Sequence, residues 1–156
     1  MIIVFLLALT IVLIITFFRI EKSLNLFQNI FMYFVLSFLI TTSFDILILN
    51  LEYIKLSSNF YLVLLFFLMQ TSFFPLIIIL YFNYLSASKS RLQKFNLIIL
   101  CLASLFLIEY TLLSNKIIIY KKWTSLKSAL YWISLLLTIY LLNKAFNKSI
   151  SDEVDC

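Results

Sequence analysis

Five long apolar runs, each broken off by a short charged or polar stretch, set the pattern of this chain: Ile2 to Phe18, Phe27 to Leu51, Phe60 to Tyr84, Leu97 to Ser114 and Lys127 to Asn143. A helix needs about 20 mostly apolar residues to cross a bilayer, and each run comes close to that length. Backbone polar groups in hydrocarbon must be satisfied within the segment, so each run is predicted to be a helix. The charges fall between the runs: Arg19, Glu21 and Lys22, then Glu52 and Lys55, then Lys89, Arg91 and Lys94, then Lys116, Lys121 and Lys122. All connections are short. The pattern therefore predicts an all-α integral membrane bundle of about five transmembrane helices, one domain over residues 1–148, followed by a short polar tail at 149–156.

Composition strengthens this reading. The chain has 156 residues, 64% of them hydrophobic and 12% charged, against about half and a quarter in ordinary soluble domains. A soluble domain of this length has too little interior for so much apolar surface, so a lipid bilayer is the implied partner. The net charge is +5, but the basic residues are scattered through short loops. That is the placement of membrane-flanking charge and not of a nucleic-acid-binding arm.

Histidine and glycine are both absent, which removes whole classes of chemistry. There is no HExxH zinc site, no Ser-His pair, no bis-histidine haem, and no glycine loop to cradle phosphate. Close GxxxG helix packing is excluded too, leaving Ser, Thr, Ala and aromatic side chains to join the helices. Cys101 and Cys156 are the only cysteines and have neither disulfide nor zinc spacing; Cys156 is not in a prenylation position. No cofactor or metal is expected. The first run lacks a basic flank before it and a small-x-small cleavage site after it, so it reads as a retained helix. Arg19 and Lys22 behind it favour an N-terminus outside and a cytoplasmic C-terminus in a multi-pass cell-membrane protein. That orientation puts Arg19, Lys22, Lys89, Arg91, Lys94, Lys144 and Lys148 inside, with Lys55, Lys116, Lys121, Lys122 and Lys127 outside.

Acids, lysines, tyrosines and amides remain as candidate actors. Asp45 and Glu109 lie five or six residues inside the ends of the second and fourth runs, some 7 to 9 Å deep at about 1.5 Å per residue. A charge at the bilayer centre costs about 2.5 to 3.5 kcal/mol on insertion scales, and less near the interface. In a five-helix serpentine, Asp45, Glu52, Lys55, Glu109, Lys116, Lys121, Lys122 and Lys127 all fall towards one membrane face. A mixed-charge intramembrane cluster is expected there, with Asp45 and Glu109 turned into the bundle and with pairs such as Glu109–Lys121. Ser37, Thr41 and Asp45 form one helical stripe, and Lys127, Tyr131, Ser134 and Thr138 a second; singly, such hydroxyls simply bond their own backbone. Pro75 must free the carbonyl of Thr71, beside Gln70 and Ser72, at a kink that either lines a cavity or is satisfied by neighbouring side chains. Tyr81, Tyr84 and Trp123 read as interfacial anchors, whereas the depth of Trp132 depends on where the fifth helix begins. The segment Ile117 to Trp123 is too short to span, and suits an extended hairpin-like loop, an interfacial turn or the opening of the fifth helix, with its lysines snorkelling outward.

The order Asp45, Glu52-Tyr53-Ile54-Lys55, Pro75-Leu76, Tyr81, Asn83, Ile108-Glu109-Tyr110 and Tyr120-Lys121-Lys122-Trp123 resembles an uncharacterised family of small polytopic integral membrane proteins from spore-forming Gram-positive bacteria. The likeness covers residues from about 40 to 145. That family often has a glycine between the lysines and the tryptophan, where Lys122 here adjoins Trp123. The resemblance implies a multi-helix membrane protein with weight on the same acidic and basic positions, and carries no activity with it. Three functions follow as expectations. One is a non-enzymatic scaffold whose cluster docks another membrane protein or a lipid headgroup. Another is a small transporter or channel using Asp45 and Glu109 as proton or cation sites, and the third is lipid-modifying catalysis by the carboxylates.

Overall fold

The structure, a computed structural model, describes the backbone of residues 1–154 and the side chains of residues 1–146. The tail residues Asp155 and Cys156, and the side chain of Lys148, lie outside the described residues. Helix α1 is Ile2–Arg19; α2 is Leu26–Asp45, prolonged by a wider π turn over Ile46–Asn50; strand β1 is Ile54–Leu56. Helix α3, Phe60–Leu68, passes through a second π turn at Met69–Phe73 into α4, Phe74–Ala87. Helix α5 is Arg91–Ser114, strand β2 is Ile118–Tyr120 and α6 is Ser125–Val154. Among the described residues five helical stretches are long and apolar enough to cross a membrane: Ile2–Arg19, Leu26–Asn50, Phe60–Ala87, Arg91–Ser114 and Ser125–Phe146. The all-α bundle is as the apolar runs predict.

Local chemistry fixes the helix ends. At the start of α2 the side chain of Asn25 accepts from the Gln28 N–H at 2.7 Å, while the Asn25 N–H donates to Gln28 Oε1 at 2.9 Å. This reciprocal box satisfies two donors that a helix start leaves open. Asn59 caps α3 by accepting from the Tyr61 N–H at 3.0 Å. Helix α5 opens well before the apolar run at Leu97, because Arg91 and Lys94 ride its first turns with exposed side chains. Its other end closes in a Schellman motif, in which the Lys116 N–H donates to Leu113 O and the Ile117 N–H to Leu112 O, both at 2.9 Å. Lys116 takes φ 55° there, and the buried side chains of Leu112 and Ile117 supply the apolar contact that accompanies this cap.

The third span is the hub. Half of it is buried within the protein, against 11% of the first span and 28% of the second. It packs against α1, α2 and α5. The other spans turn large apolar side chains outward, among them Phe34, Phe38, Leu107 and Leu137, as a bilayer requires. Strands β1 and β2 pair antiparallel, Ile54 against Tyr120 and Leu56 against Ile118. The pairing is extended by the Ser57 N–H on Ile117 O and by the Lys121 and Lys122 N–H groups on Tyr53 O. The segment whose form the sequence left open is thus a strand, and it joins the second and fourth loops into one strap.

Both polar stripes expected from the sequence lie one residue away from the buried faces. On α2 the buried positions are Met32, Leu36, Ile40 and Phe44, continuing to Leu47, so Ser37, Thr41 and Asp45 are only half-buried. On α6 they are Ser128, Trp132, Leu135 and Ile139. Ser134 and Thr138 are exposed and donate to their own helix, to Tyr131 O and Ser134 O. A single residue turns a helix by about 100°, which leaves Ser37 and Tyr131 at the edge of the packed faces and turns Ser134 and Thr138 outward.

Candidate functional site: a buried glutamate beneath the strap

Glu109 sits on the buried side of α5, one and a half turns before the helix ends, and is 3% exposed. Three side chains from two other elements converge on it. Tyr120, the last residue of β2, donates its hydroxyl to Glu109 Oε1. Ser128 Oγ donates to the same oxygen at 2.8 Å, and Trp132 Nε1 donates to Oε2 at 2.9 Å. Trp123 Nε1 in turn donates to Ser128 Oγ at 2.6 Å. The two α6 residues are four apart and share a face, so one turn of helix presents a hydroxyl and an indole to the two oxygens of one carboxylate. Tyr120 reaches it only because the Schellman turn reverses the chain and β1 holds β2 in place.

The donors are neutral, and the indoles can only donate. A buried acid is thereby satisfied without a buried cation, avoiding the double desolvation of an ion pair. Burial first, and then the hydrogen bond to Glu109, push the Tyr120 phenol above its ordinary value, with the Ser128 contact opposing. Rings close the inner side: Phe44 packs edge-on to Tyr131 with centroids 5.9 Å apart, and Phe74 lies 5.1 Å from Trp132.

The expected charge cluster takes a different form. Glu109 pairs with no lysine among the described residues; Lys121 Nζ instead lies 3.7 Å from Glu52 Oε2, an exposed contact on the strap. Lys127 Nζ donates to Lys122 O at 2.9 Å and stands 5.2 Å from the centre of the Tyr53 ring. Lys55, Lys116 and Lys122 are exposed. Asp45 does not join the Glu109 network, because its neighbour Phe44 occupies the buried face of α2. The physical reason is reach: exposed lysines gain more from water than from following a carboxylate into the bundle. Trp123 is half-buried and tied to Ser128. Tyr84 is exposed, and Tyr81 is half-buried along an apolar hollow of about 410 Å³ between α4, α5 and α6.

At the Pro75 break, the Phe74 N–H reaches back to Met69 O in a π turn. The Thr71 carbonyl, which proline cannot serve, accepts from Tyr33 Oη at 2.9 Å and Ser37 Oγ at 3.3 Å. Gln70 beside it is fully buried, with neither amide atom hydrogen-bonded among the described residues.

A second polar staple, at the opposite ends of the spans, was not anticipated from the sequence. Asn83 Nδ2 on α4 donates to Asn29 Oδ1 on α2 at 2.7 Å. Asn83 Oδ1 accepts from the Leu24 N–H at 3.2 Å, and Asn29 Nδ2 donates to Leu24 O at 3.0 Å. Ser23 Oγ completes the set on Asn83 O. Ser128 and Trp132 also belong to the site, and the one sequence signal for them is their spacing of four on a helix that follows a buried acid.

No protein-family model, curated protein or solved structure matches the chain. Its five apolar spans and the two polar staples that join them fit a multi-pass membrane protein of all-α architecture.

Proposed function

We propose that this chain is a non-enzymatic scaffold of the cell membrane. In this reading the strap is a rigid basic docking face, outside the cell, for an anionic partner or lipid headgroup. The single observation that carries it is the way the strap is built: β1 and β2 are paired to each other, and β2 is bolted to α5 and α6 through Tyr120 and Glu109. Such a platform holds Lys55, Lys116, Lys121, Lys122 and Lys127 at one end of the bundle with a single exposed carboxylate, Glu52, among them. Each lysine near an anionic surface adds about 1 kcal/mol of attraction.

The transporter reading draws on Gln70, a buried amide without a hydrogen-bond partner among the described residues and within a π turn, a feature frequent at functional sites. It is weakened by Glu109, whose oxygens are already occupied by donors from the fold, and by Asp45, which stands apart. One pair of measurements separates the two. Protein in nanodiscs of neutral lipid should bind anionic vesicles in a salt-sensitive way, and the Lys55→Gln, Lys121→Gln, Lys122→Gln triple variant should lose that binding while remaining folded. Equal binding by the triple variant would remove the docking reading. In proteoliposomes, proton or cation flux above that of protein-free vesicles, abolished by Asp45→Asn, would establish transport instead.

A further inference from the structure

A side opening of about 210 Å³ lies between α5, β2 and α6, and Glu109 is part of its lining. Tyr120 and Ser128 also line it and both bind Oε1, whereas Trp132, which holds Oε2, does not. The oxygen that shares its hydrogen-bond partners with the opening is Oε1. It already accepts two hydrogen bonds, half of the roughly four a carboxylate can take. What it offers the opening is a carboxyl oxygen without a free acceptor site. Among the described residues no lysine or arginine forms an ion pair with it. The opening is otherwise rich in ring surface, from Phe106, Tyr110 and Tyr120.

These features discriminate between kinds of cation. A primary ammonium brings three N–H donors, and to reach the carboxylate it must displace Tyr120 or Ser128, leaving a buried donor unpaired. A metal ion needs several oxygen ligands, and no group of three or more acidic, histidine or cysteine side chains gathers among the described residues. A quaternary ammonium has no N–H to satisfy and is held by ring faces together with a nearby negative charge. We propose that this opening binds a quaternary ammonium group of the choline type. The source is either the headgroup of a neighbouring lipid or a free solute. Glu109 stands about 7.5 Å inside the end of α5 at 1.5 Å per residue, a depth that either can reach from the membrane surface. The site is independent of the lysines on the strap, so it stands or falls apart from the docking face.

The test uses tetramethylammonium as probe. The chain has two tryptophans, Trp123 and Trp132, and both belong to the Glu109 network, so intrinsic fluorescence reports on the site directly. At constant ionic strength, tetramethylammonium should give a saturable change and ammonium at the same concentrations none. Glu109→Gln should abolish the response. Because that variant also disturbs the network, Tyr110→Ala is the cleaner control: the ring is 68% exposed, and its loss should weaken apparent affinity about tenfold without unfolding the protein. Equal responses to both cations, no saturable response, or unchanged affinity in Tyr110→Ala would each overturn the proposal. Repeating the titration in phosphatidylcholine and in phosphatidylethanolamine nanodiscs, both of zero net charge, separates the sources. A curve shifted to higher probe concentration only in phosphatidylcholine identifies a lipid headgroup as the occupant; coincident curves identify a free solute.

Discussion

Glu52 and Lys116 carry the chain out of helix ends at φ 50° and 55°, a conformation that glycine adopts freely and this glycine-free chain must reach with ordinary residues. The left-handed region costs an L-residue roughly 1–2 kcal/mol, and it is tolerated at Lys116 because the Schellman bonds and the apolar contact of Leu112 with Ile117 fix the turn. Lys116→Gly should therefore raise stability by about 0.5–1 kcal/mol, the greater freedom of unfolded glycine offsetting part of the gain. Denaturant unfolding in micelles checks this, and a loss of stability would show that the lysine side chain has a structural role of its own. Tyr120 makes a second prediction. Its folded phenol lies above its unfolded value of about 10, so its contribution is complete below that pH and lost as the pH rises beyond it. Unfolding midpoints should fall more steeply above pH 10 for the native protein than for Tyr120→Phe; parallel curves would detach the phenol from the network.

Among the elements, the five spans were legible because an apolar run of membrane length has few other uses. Their rotation was not. A helix apolar on all sides has no hydrophobic face to read, so the stripe of Ser37, Thr41 and Asp45 on α2 and that of Tyr131, Ser134 and Thr138 on α6 each run one residue beside the most buried line. The strap was illegible for another reason: two three-residue strands, about sixty positions apart, carry too little local pattern to announce their pairing. Glu109 stood out as a buried acid, yet its partners did not, because indole and hydroxyl donors are ordinary residues in a membrane helix. The Asn29–Asn83 staple escaped in the same way. Its weight can be measured: Asn83→Leu leaves Asn29 Oδ1 and the Leu24 N–H without their partner, and should cost about 1–2 kcal/mol. A neutral outcome in reversible unfolding would mean that the loop at Ser23–Asn25 finds other partners.

At the scale of the whole molecule, two polar staples close the bundle, one at each end of the spans. Asn29 and Asn83 join the first loop to α2 and α4, while Glu109 joins the strap to α5 and α6. Apart from the staples and the Gln28 cap, the buried polar side chains among the described residues are Thr10, Gln70 and Asn143. This division keeps the strap lysines at the surface, where Lys121 meets Glu52 and Lys127 meets Lys122 O, and none of them turns in to the buried acid. Neutral donors, and not lysines, hold Glu109. The most direct measurement is a pair of double-mutant cycles in reversible unfolding, Glu109→Leu with Trp132→Phe and Glu109→Leu with Lys121→Met. A coupling of about 1–2 kcal/mol is expected in the first cycle and close to zero in the second; coupling to Lys121 with none to Trp132 would mean that a lysine, and not the indole, holds the acid.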